Sequence, residues 1–289
     1  VTAYTTAQTY ESQVNKVQIF VFGSDGAINF YQNLDEDDIP VPFNNHAQVY
    51  ASGRKHCDGS DYDDVTYNNE SGTTTQDEHN YENGYCTFCH EMQLGEDGYF
   101  YINDQEGWEV FAQAHNGGKS NLNVKLNTDL EITQKLNDGY CGIFDGQGHT
   151  ITLNMNNSAS RDALFDCLGG KGVIRNLIVA GSVYGSESTH DEVAGICAWN
   201  YGIIDRCHNM AQATENNCTM GCAGICTKNY GTIINCWNSG KITSSESSSG
   251  GIVSKNYGII KNCYNSGEIS GNEACGIANS SPGPTLVNC

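Results

Sequence analysis

Basic residues are scarce in this sequence of 289 residues. It contains 14 Lys and Arg against 34 Asp and Glu, which gives a formal net charge of −20 at pH 7. Most of the acidity lies early, since residues 1–140 hold 23 of the acidic and 6 of the basic residues. A chain this acidic, without a basic patch, is repelled by nucleic acid and by anionic membrane surfaces. We therefore expect no nucleic-acid partner and attribute the acidity to solubility.

Long apolar runs and prolines are also lacking. No run of about 18 apolar residues occurs, so the sequence predicts no membrane-spanning helix. No signal peptide is visible, and Val1 suits either a mature or an engineered start. The chain has only 4 prolines but 33 glycines, together with abundant Asn, Ser and Thr. This composition is typical of an all-β protein with many turns.

Residues 194–289 contain a tandem repeat. The copies are AGICAWNYGIIDRC (194–207), AGICTKNYGTIINC (223–236), GGIVSKNYGIIKNC (250–263) and the degraded CGIANSSPGPTLVNC (275–289), with a more distant copy, ALFDCLGGKGVIRNL, at 163–177. The terminal cysteines of the four closer copies are 29, 27 and 26 residues apart. Periods of roughly 20 to 50 residues are typical of solenoids.

The apolar runs within each copy favour strands over helices. They are short and rich in Ile and Val, and Asn-Tyr-Gly, Asn-Ser-Gly or Ser-rich turns separate them. Such runs are too short for helices, and β-branched residues favour a pleated surface. One copy therefore predicts one coil of two or three strands, each paired with the next coil. The predicted fold is all-β: a right-handed parallel β-helix that includes residues 141–289 and starts near residue 97.

Most of the 14 cysteines fall at equivalent positions of the predicted coils. One inward column contains Leu177, Cys207, Cys236, Cys263 and Cys289, and another contains Phe165, Cys197, Cys226, Val253 and Ala278. Because cysteine alternates with Leu, Phe, Val and Ala, we interpret these cysteines as small buried hydrophobic residues of the core. Disulfides between neighbouring coils, or a metal or redox role, are the alternatives.

Tyr201, Tyr230 and Tyr257 form a further column beside the Gly of each Asn-Tyr-Gly turn. An exposed aromatic column could face a ligand such as a glycan or a partner protein. The alternative is a turn column whose rings pack only against each other.

Residues 104–116 (DQEGWEVFAQAHN) have the spacing of an amphipathic helix. Trp108, Val110 and Phe111 fall on or near one face at helical spacing. Asp104 is the predicted N-cap, and Gly117-Gly118 ends the segment. Since a stack of coils has open ends that require capping, we expect this helix to cover the first coil.

The strings GIFDGQGHTITLNM, ALFDCLGGKGVIRNLIVAGSV and GGIVSKNYGIIKNCYNSG resemble the GLUG-repeat proteins. The resemblance covers about residues 97–289, and only its last copy departs from the pattern, with Pro-Gly-Pro in place of Asn-Tyr-Gly. That family occurs in bacterial surface and secreted proteins, including adhesins and the N-terminal regions of IgA-specific metallopeptidases. The resemblance implies a parallel β-helix and a secreted or cell-surface location. It supplies no catalytic residue, because the family has no universal one.

A polar and acidic segment, residues 57–96, precedes the predicted rod and includes a Cys-x-x-Cys motif. Cys57, His79, Cys86 and Cys89 together form a Cys-His-Cys-Cys set, which suits tetrahedral zinc. A segment without a core gains its fold from such a site. A disulfide, or free thiols, are the alternatives. The string HNYENGYCTFC also looks like the short cysteine modules that precede GLUG regions.

Residues 1–56 contain a hairpin signal. VNKVQIFVF (14–22) and AINFY (27–31) are predicted strands, and a Gly-Ser-Asp-Gly turn separates them. KVQIFVFGSDGAINFY resembles the opening strands of fimbrillin-type pilus and adhesin proteins, although residues 1–56 are too few for a full fimbrillin β-sandwich. The predicted domains are therefore 1–56, 57–96 and 97–289.

Charged residues are few in the repeats, and no catalytic motif is present. Polysaccharide lyases and hydrolases need clustered carboxylates or a base beside acidic metal ligands. Here only His190, Asp191 and Glu192 cluster, in a turn insertion. We therefore predict a non-enzymatic structural or adhesion module of an exported surface protein. Its partners would be a host or neighbouring-cell surface protein or glycan, or other surface or pilus subunits. The alternative is a glycan-binding or polysaccharide-active β-helix.

Overall fold

A computed structural model of the protein describes residues 16–22, 28–35, 81–86, 90–157, 161–185, 192–216, 220–245, 247–280 and 285–289. The chain folds as two compact units. The first comprises Val1–Asn80 and Cys86–His90, and the second comprises Tyr81–Tyr85 and Glu91–Cys289.

The first unit contains an antiparallel hairpin of two strands, Lys16–Phe22 and Ile28–Asp35. The pairing runs from Lys16 opposite Asp35 to Phe22 opposite Ile28, with a register shift at Val21 and Phe22. The predicted hairpin is confirmed, and its second strand continues four residues beyond the predicted 27–31.

Four parallel sheets build the second unit. The five-stranded sheet contains Arg161–Asp162, Glu192–Ala194, Gly221–Ala223, Ser248–Gly250 and Glu273–Cys275. The six-stranded sheet contains Leu136–Tyr140, Phe165–Leu168, Cys197–Asn200, Cys226–Asn229, Val253–Asn256 and Ala278–Ser280. The eight-stranded sheet contains Phe100–Ile102, Val124–Leu126, Ile143–Asp145, Val173–Arg175, Ile203–Asp205, Thr232–Ile234, Ile259–Lys261 and Thr285–Val287.

The nine-stranded sheet contains Leu130–Ile132, Thr150–Asn157, Ile178–Gly185, His208–Asn209, Gln212–Glu215, Trp237–Asn238, Ile242–Ser244, Tyr264–Asn265 and Ile269–Ser270. The four coils that begin at Arg161, Glu192, Gly221 and Ser248 run through the five-, six-, eight- and nine-stranded sheets in that order, and their strands pair in parallel with the equivalent strands of the next coil. A separate two-stranded sheet joins Tyr81–Glu82 and Tyr85–Cys86.

The arrangement is a parallel β-helix of about six turns, with tandem turns of about 28 residues. The predicted parallel β-helix is therefore confirmed. Short Ile- and Val-rich strands of these turns alternate between inward and outward side chains. In Ile203–Asp205, for example, only the central Ile204 is fully buried. In the part of the chain that the structure describes, no helix is long and apolar enough to cross a bilayer.

One α-helix, Gln105–Asn116, precedes the first full turn. Asp104 is its N-cap, and the carboxylate accepts a hydrogen bond from the Gly107 amide at 2.8 Å. The buried face includes Trp108 and Phe111, whose rings pack against Phe144 at centroid distances of 6.2 and 6.0 Å. The predicted helix and its N-cap are confirmed, and its apolar face lies on the aromatic core of the first coils.

Candidate functional site

The row of Tyr201, Tyr230 and Tyr257, called the Tyr row below, is an exposed stack on three successive coils. The ring centroids are 4.9 Å apart at both steps, with interplanar angles of 6° and 8°. Each Tyr follows a strand of the six-stranded sheet and precedes a strand of the eight-stranded sheet. The row therefore lies at a corner of the β-helix.

A ladder of buried amides positions the Tyr row from the inside. Asn200 donates to Asn229 Oδ1 at 2.7 Å, and Asn229 donates to Asn256 Oδ1 at 2.8 Å. All three side chains are fully buried, so these hydrogen bonds satisfy amides that could not otherwise be buried without cost. Because each Asn immediately precedes a Tyr, the ladder fixes the spacing of the rings outside it.

The glycine after each Tyr allows the close approach of neighbouring turns. A Cβ atom on Gly231 would lie 2.2 Å from the carbonyl oxygen of Gly202, and one on Gly258 would lie 2.2 Å from that of Gly231. Both distances are far below van der Waals contact, and the obstructing atoms belong to the backbone. Only glycine at these positions keeps the Tyr rings within stacking distance.

The hydroxyl groups of the Tyr row make no hydrogen bond within the described residues. Burial raises the pKa of Tyr230, the neighbouring Tyr201 adds to this rise, and the Lys228 ammonium opposes it. Lys228 therefore lies close enough to the middle ring to influence its hydroxyl. Lys228 and Lys255 are in register on adjacent coils, two residues before Tyr230 and Tyr257 respectively.

A network of charged side chains lies beside this row. Glu192 is fully buried, pairs with the Lys228 ammonium at 2.5 Å and accepts a hydrogen bond from the indole N–H of Trp199. Arg161 and Lys228 lie over the Trp199 ring, at 4.7 and 5.0 Å from its centroid.

A second carboxylate of this region is also neutralised. Asp166 pairs with Lys135 and with Arg161, both at 3.0 Å. His190 and Asp191, which the sequence places beside Glu192, lie outside the described residues. The carboxylates of Glu192 and Asp166 are therefore both paired with Lys or Arg side chains. Such pairing suits a structural network better than general acid–base chemistry.

The predicted core cysteines Cys197, Cys207, Cys226, Cys236 and Cys263 are buried, but the prediction is wrong for Cys289, because no further coil covers it within the described residues. The register aligns Phe165, Cys197, Cys226, Val253 and Ala278 in one column. In the other column, Cys207, Cys236 and Cys263 are buried, whereas Cys289 is exposed. Burial raises the pKa of Cys236, and Cys207 adds to this rise. A buried thiol that resists ionisation is a poor nucleophile and a poor metal ligand.

Most of the predicted zinc site lies outside the described residues. Cys57, His79 and Cys89 belong to that part of the chain, and only Cys86 is described, as a buried residue at the end of Tyr85–Cys86. Among the described residues, no three His, Cys, Asp or Glu side chains group in a way that could hold a metal ion. The zinc set stays a prediction.

A second aromatic row, which sequence reasoning missed, runs along the nine-stranded sheet. His208, Trp237 and Tyr264 stack with centroid distances of 4.3 and 6.1 Å. Burial lowers the pKa of His208, whose Nε2 lies 2.8 Å from the Ser239 hydroxyl. The signal was present in the sequence, because each member directly follows a cysteine of the column Cys207, Cys236 and Cys263.

Comparison with known proteins supports the fold. No family model and no curated protein matches the chain. Among solved structures, the chain is similar to a protein from Bacteroides ovatus described as a "putative immunoglobulin A1 protease", with a TM-score of 0.52 and 17% sequence identity. The match covers 67% of this chain and 65% of that one, so the chain corresponds to less than two thirds of its neighbour. At this identity, the likeness shows a shared β-solenoid fold.

Proposed function

We propose that the chain is a non-catalytic structural or adhesion module of an exported bacterial cell-surface protein. The observation that carries this proposal is the Tyr row, three exposed residues whose rings stack at 4.9 Å and whose hydroxyls make no hydrogen bond among the residues that the structure describes. A rigid scaffold that displays identical side chains at a fixed spacing is suited to binding an extended or repetitive partner. The carboxylates beside the row are occupied in ion pairs, which argues against hydrolysis or elimination there.

The proposed family is that of the GLUG-repeat surface proteins, with a right-handed coil. The repeat strings and the observed turns of about 28 residues support this assignment. The similar structure from Bacteroides ovatus is consistent with a bacterial surface context. For the first unit, the antiparallel hairpin is compatible with a fimbrillin-type element, which we retain as a proposal.

The first test combines binding with activity. Purified chain should bind to glycan or host-surface protein arrays and release no product from polysaccharides in reducing-end and unsaturated-product assays. Replacing Tyr230 by Ala should reduce binding, whereas replacing the exposed Tyr264, in the other aromatic row, should not. Product release by the intact chain would contradict the proposal.

A glycan-binding or polysaccharide-active β-helix is the second candidate. Two aromatic rows favour it, one at a corner and one along the nine-stranded sheet, because Tyr and Trp side chains are enriched at binding interfaces. Product release in the same assays would identify the polysaccharide-active form of this candidate, because the adhesion module has no such activity.

Zinc binding by Cys57, His79, Cys86 and Cys89 is a further proposal. The spacing of two residues between the last two thiols supports it. Metal analysis of chain purified without added metal should give about one zinc per chain, and Cys89→Ser should lower this value. An oxidised Cys86–Cys89 pair without metal would refute the site.

A further inference from the structure

The outer face of the eight-stranded sheet carries an exposed apolar patch. Six of the ten large apolar side chains that are exposed among the described residues lie on this face or along its border, namely Ile203, Ile259, Val287 and the three members of the Tyr row. Ile203 and Ile259 are both 44% exposed, whereas the neighbouring Ile204 and Ile260 are fully buried. Because contiguous exposed apolar side chains mark interaction sites, this face is a candidate docking surface.

Two columns of outward side chains cross this face. The outer two residues of each strand are exposed or half-buried and the central one is buried. The register aligns Ile203, Thr232 and Ile259 in the first column and Asp205, Ile234 and Lys261 in the second, without a bulge. Since neighbouring strands lie about 4.8 Å apart, Asp205 and Lys261 are separated by roughly 10 Å, with Ile234 between them.

The pattern of this face matches its own reverse. The first column is Ile, Thr, Ile in either direction along the β-helix, and the Tyr row at the border is the same in both directions. The second column is an acid, an apolar residue and a base, so reversal exchanges the acid with the base. Such a face is complementary to a reversed copy of itself, as a two-fold interface requires.

We propose that this face binds a second copy of the chain, with the two β-helices antiparallel and a two-fold axis at Thr232 and Ile234. Asp205 of each copy then lies opposite Lys261 of the other copy, and Ile203 lies opposite Ile259. The inference rests on the proposed adhesive function and names a second copy as the partner of the surface that the Tyr row borders.

The two charged sites of this interface can both form ion pairs. Lys261 is exposed and has no ion pair within the described part of the chain. The Asp205 carboxylate pairs with Arg206 at 3.0 Å, but the Arg206 side chain is 55% exposed and such surface pairs contribute little. A carboxylate also accepts two cations, as Asp166 does in this protein. Electrostatic complementarity therefore favours the reversed register over other alignments of the same face.

The acidity of the chain does not oppose this pairing. Residues 194–289 contain five acidic and five basic residues, so their formal net charge is zero, whereas residues 91–140 contain nine acidic and three basic residues. The strand Phe100–Ile102 lies five strands from Thr232–Ile234, so the antiparallel arrangement separates the two copies of that strand by roughly 48 Å. This separation is several times the Debye length of about 8 Å at physiological salt, which screens the repulsion.

The contact area sets the strength of the dimer. The five strands from Val173–Arg175 to Thr285–Val287 span roughly 20 Å along the β-helix, and each presents about 10 Å of outer face. Together with the border, this area is well below the roughly 800 Å² per partner that a stable interface buries. We therefore expect a weak dimer, with a Kd on the order of 10–100 µM.

Sedimentation velocity of the whole chain, at concentrations on both sides of this Kd, tests the dimer. We expect monomer at the lowest concentrations and a closed dimer at the highest. A monomer at every concentration would overturn the proposal. Open-ended growth beyond two copies would also overturn it, because an isologous face is fully used in the dimer.

Exchanged charges test the register. Asp205→Lys places like charges together at both sites, and so does Lys261→Asp, so each variant alone should dimerise at least about tenfold more weakly. An equal mixture of the two variants should form a mixed dimer of nearly wild-type affinity, because both of its sites then join opposite charges. The control is Lys241→Asp, the same charge change at an exposed position beside the nine-stranded sheet. If both variants unfold like the wild type and their mixture stays monomeric, the register is wrong.

An apolar variant tests the face without any change of charge. Ile259→Gln alters the contact with Ile203 of the other copy at two symmetric places, so dimerisation should weaken about tenfold. Met210→Gln, at a side chain that is equally accessible but lies outside the face, should leave dimerisation unchanged. Equal losses in the two variants would place the interface elsewhere and overturn the proposal.

The outcomes distinguish this inference from the proposed function. If the chain stays monomeric while it still binds a host-surface protein or a glycan, the second copy is the wrong partner and the adhesive function stands. If the chain releases product from a polysaccharide, the proposed function fails, whereas the dimer is judged by sedimentation alone.

Discussion

The first coils of the β-helix and the later coils fill their interiors in different ways. Near the helix, large rings meet edge to face or tilted: Phe144 contacts Trp108, Phe111, Tyr140 and Phe165 at centroid distances of 5.3 to 6.5 Å. Further along, the interior contains Ile, Val, Ala and Cys, with Asn amides at the corners.

The difference reflects what each region packs against. The first coils have a helix on one side, and bulky rings fill the irregular space between helix and strands. The later coils pack only against copies of themselves, so the same small residue recurs at each level. Stability in the first region should depend on single large side chains, and in the second region on continuous columns.

The largest predicted effect falls in the aromatic region. Phe144→Ala removes a fully buried ring in contact with four others, so the free energy of unfolding should fall by about 3–5 kcal/mol. In the later coils, Ile233→Val removes one buried methyl group and should cost about 1 kcal/mol. Denaturant unfolding monitored by circular dichroism measures both. Similar losses for the two variants would show that the regions do not differ as described.

The next effect belongs to the Asn ladder. Asn229→Ala leaves Asn200 without its acceptor and Asn256 without its donor in a buried column, at a cost of roughly 2 kcal/mol. The control is Asn262→Gly at an exposed corner, where φ is 53° and glycine fits the backbone.

The two corner variants should also differ at the Tyr row. Asn229→Ala should disturb ring stacking, visible in the near-ultraviolet circular dichroism of tyrosine, whereas Asn262→Gly should leave that signal unchanged. An unaltered tyrosine signal in Asn229→Ala would show that the ladder does not position the row.

The sequence predicts the structure of the repetitive region in more detail than that of the other regions. Repeated Asn-Tyr-Gly strings fix the order of coils, and they place Tyr201, Tyr230 and Tyr257 in one column without any structural information. The helix was equally accessible, because Asp104 and the spacing of Trp108 and Phe111 are local signals.

Contacts between side chains of different sheets or coils could not be predicted from the sequence in this way. Glu192 and Lys228 belong to different sheets and neighbouring coils, so only the folded chain brings them to 2.5 Å. The row of His208, Trp237 and Tyr264 was missed because its members differ in type, although they occupy equivalent positions. The ring contacts of Phe144 likewise arise from tertiary packing that no repeat encodes.

A smaller effect is expected for the cysteine columns. Cys236→Ala removes one buried sulfur atom and should lower the free energy of unfolding by about 1 kcal/mol, far less than Phe144→Ala. In the native protein, Cys236 should resist alkylation, while the exposed Cys289 should react rapidly. Mass spectrometry of maleimide-treated protein shows which sites are labelled. Rapid labelling of Cys236 without unfolding would contradict the packing role.

The smallest effect is a decline in stability at mildly alkaline pH. Burial raises the pKa of Cys167 from its ordinary value of 9.0 to about 11; the neighbouring Cys197 adds to the rise and Arg161 opposes it. The folded chain therefore keeps this proton at a pH where the unfolded chain loses it. The stabilisation is complete below about pH 9 and is lost as pH rises toward 11.

The free energy of unfolding should therefore decline between pH 7.5 and pH 10. Cys167→Ala should reduce this decline, whereas Cys289→Ala, at an exposed position, should leave the decline unchanged. Since Tyr140 in the aromatic region has a pKa raised by burial well above its ordinary value, that region should contribute only at still higher pH. A slope that is the same in Cys167→Ala and the wild type would place the alkaline response outside this thiol. Cys197 and Cys236, whose pKa values burial also raises, would then be the thiols that account for the response.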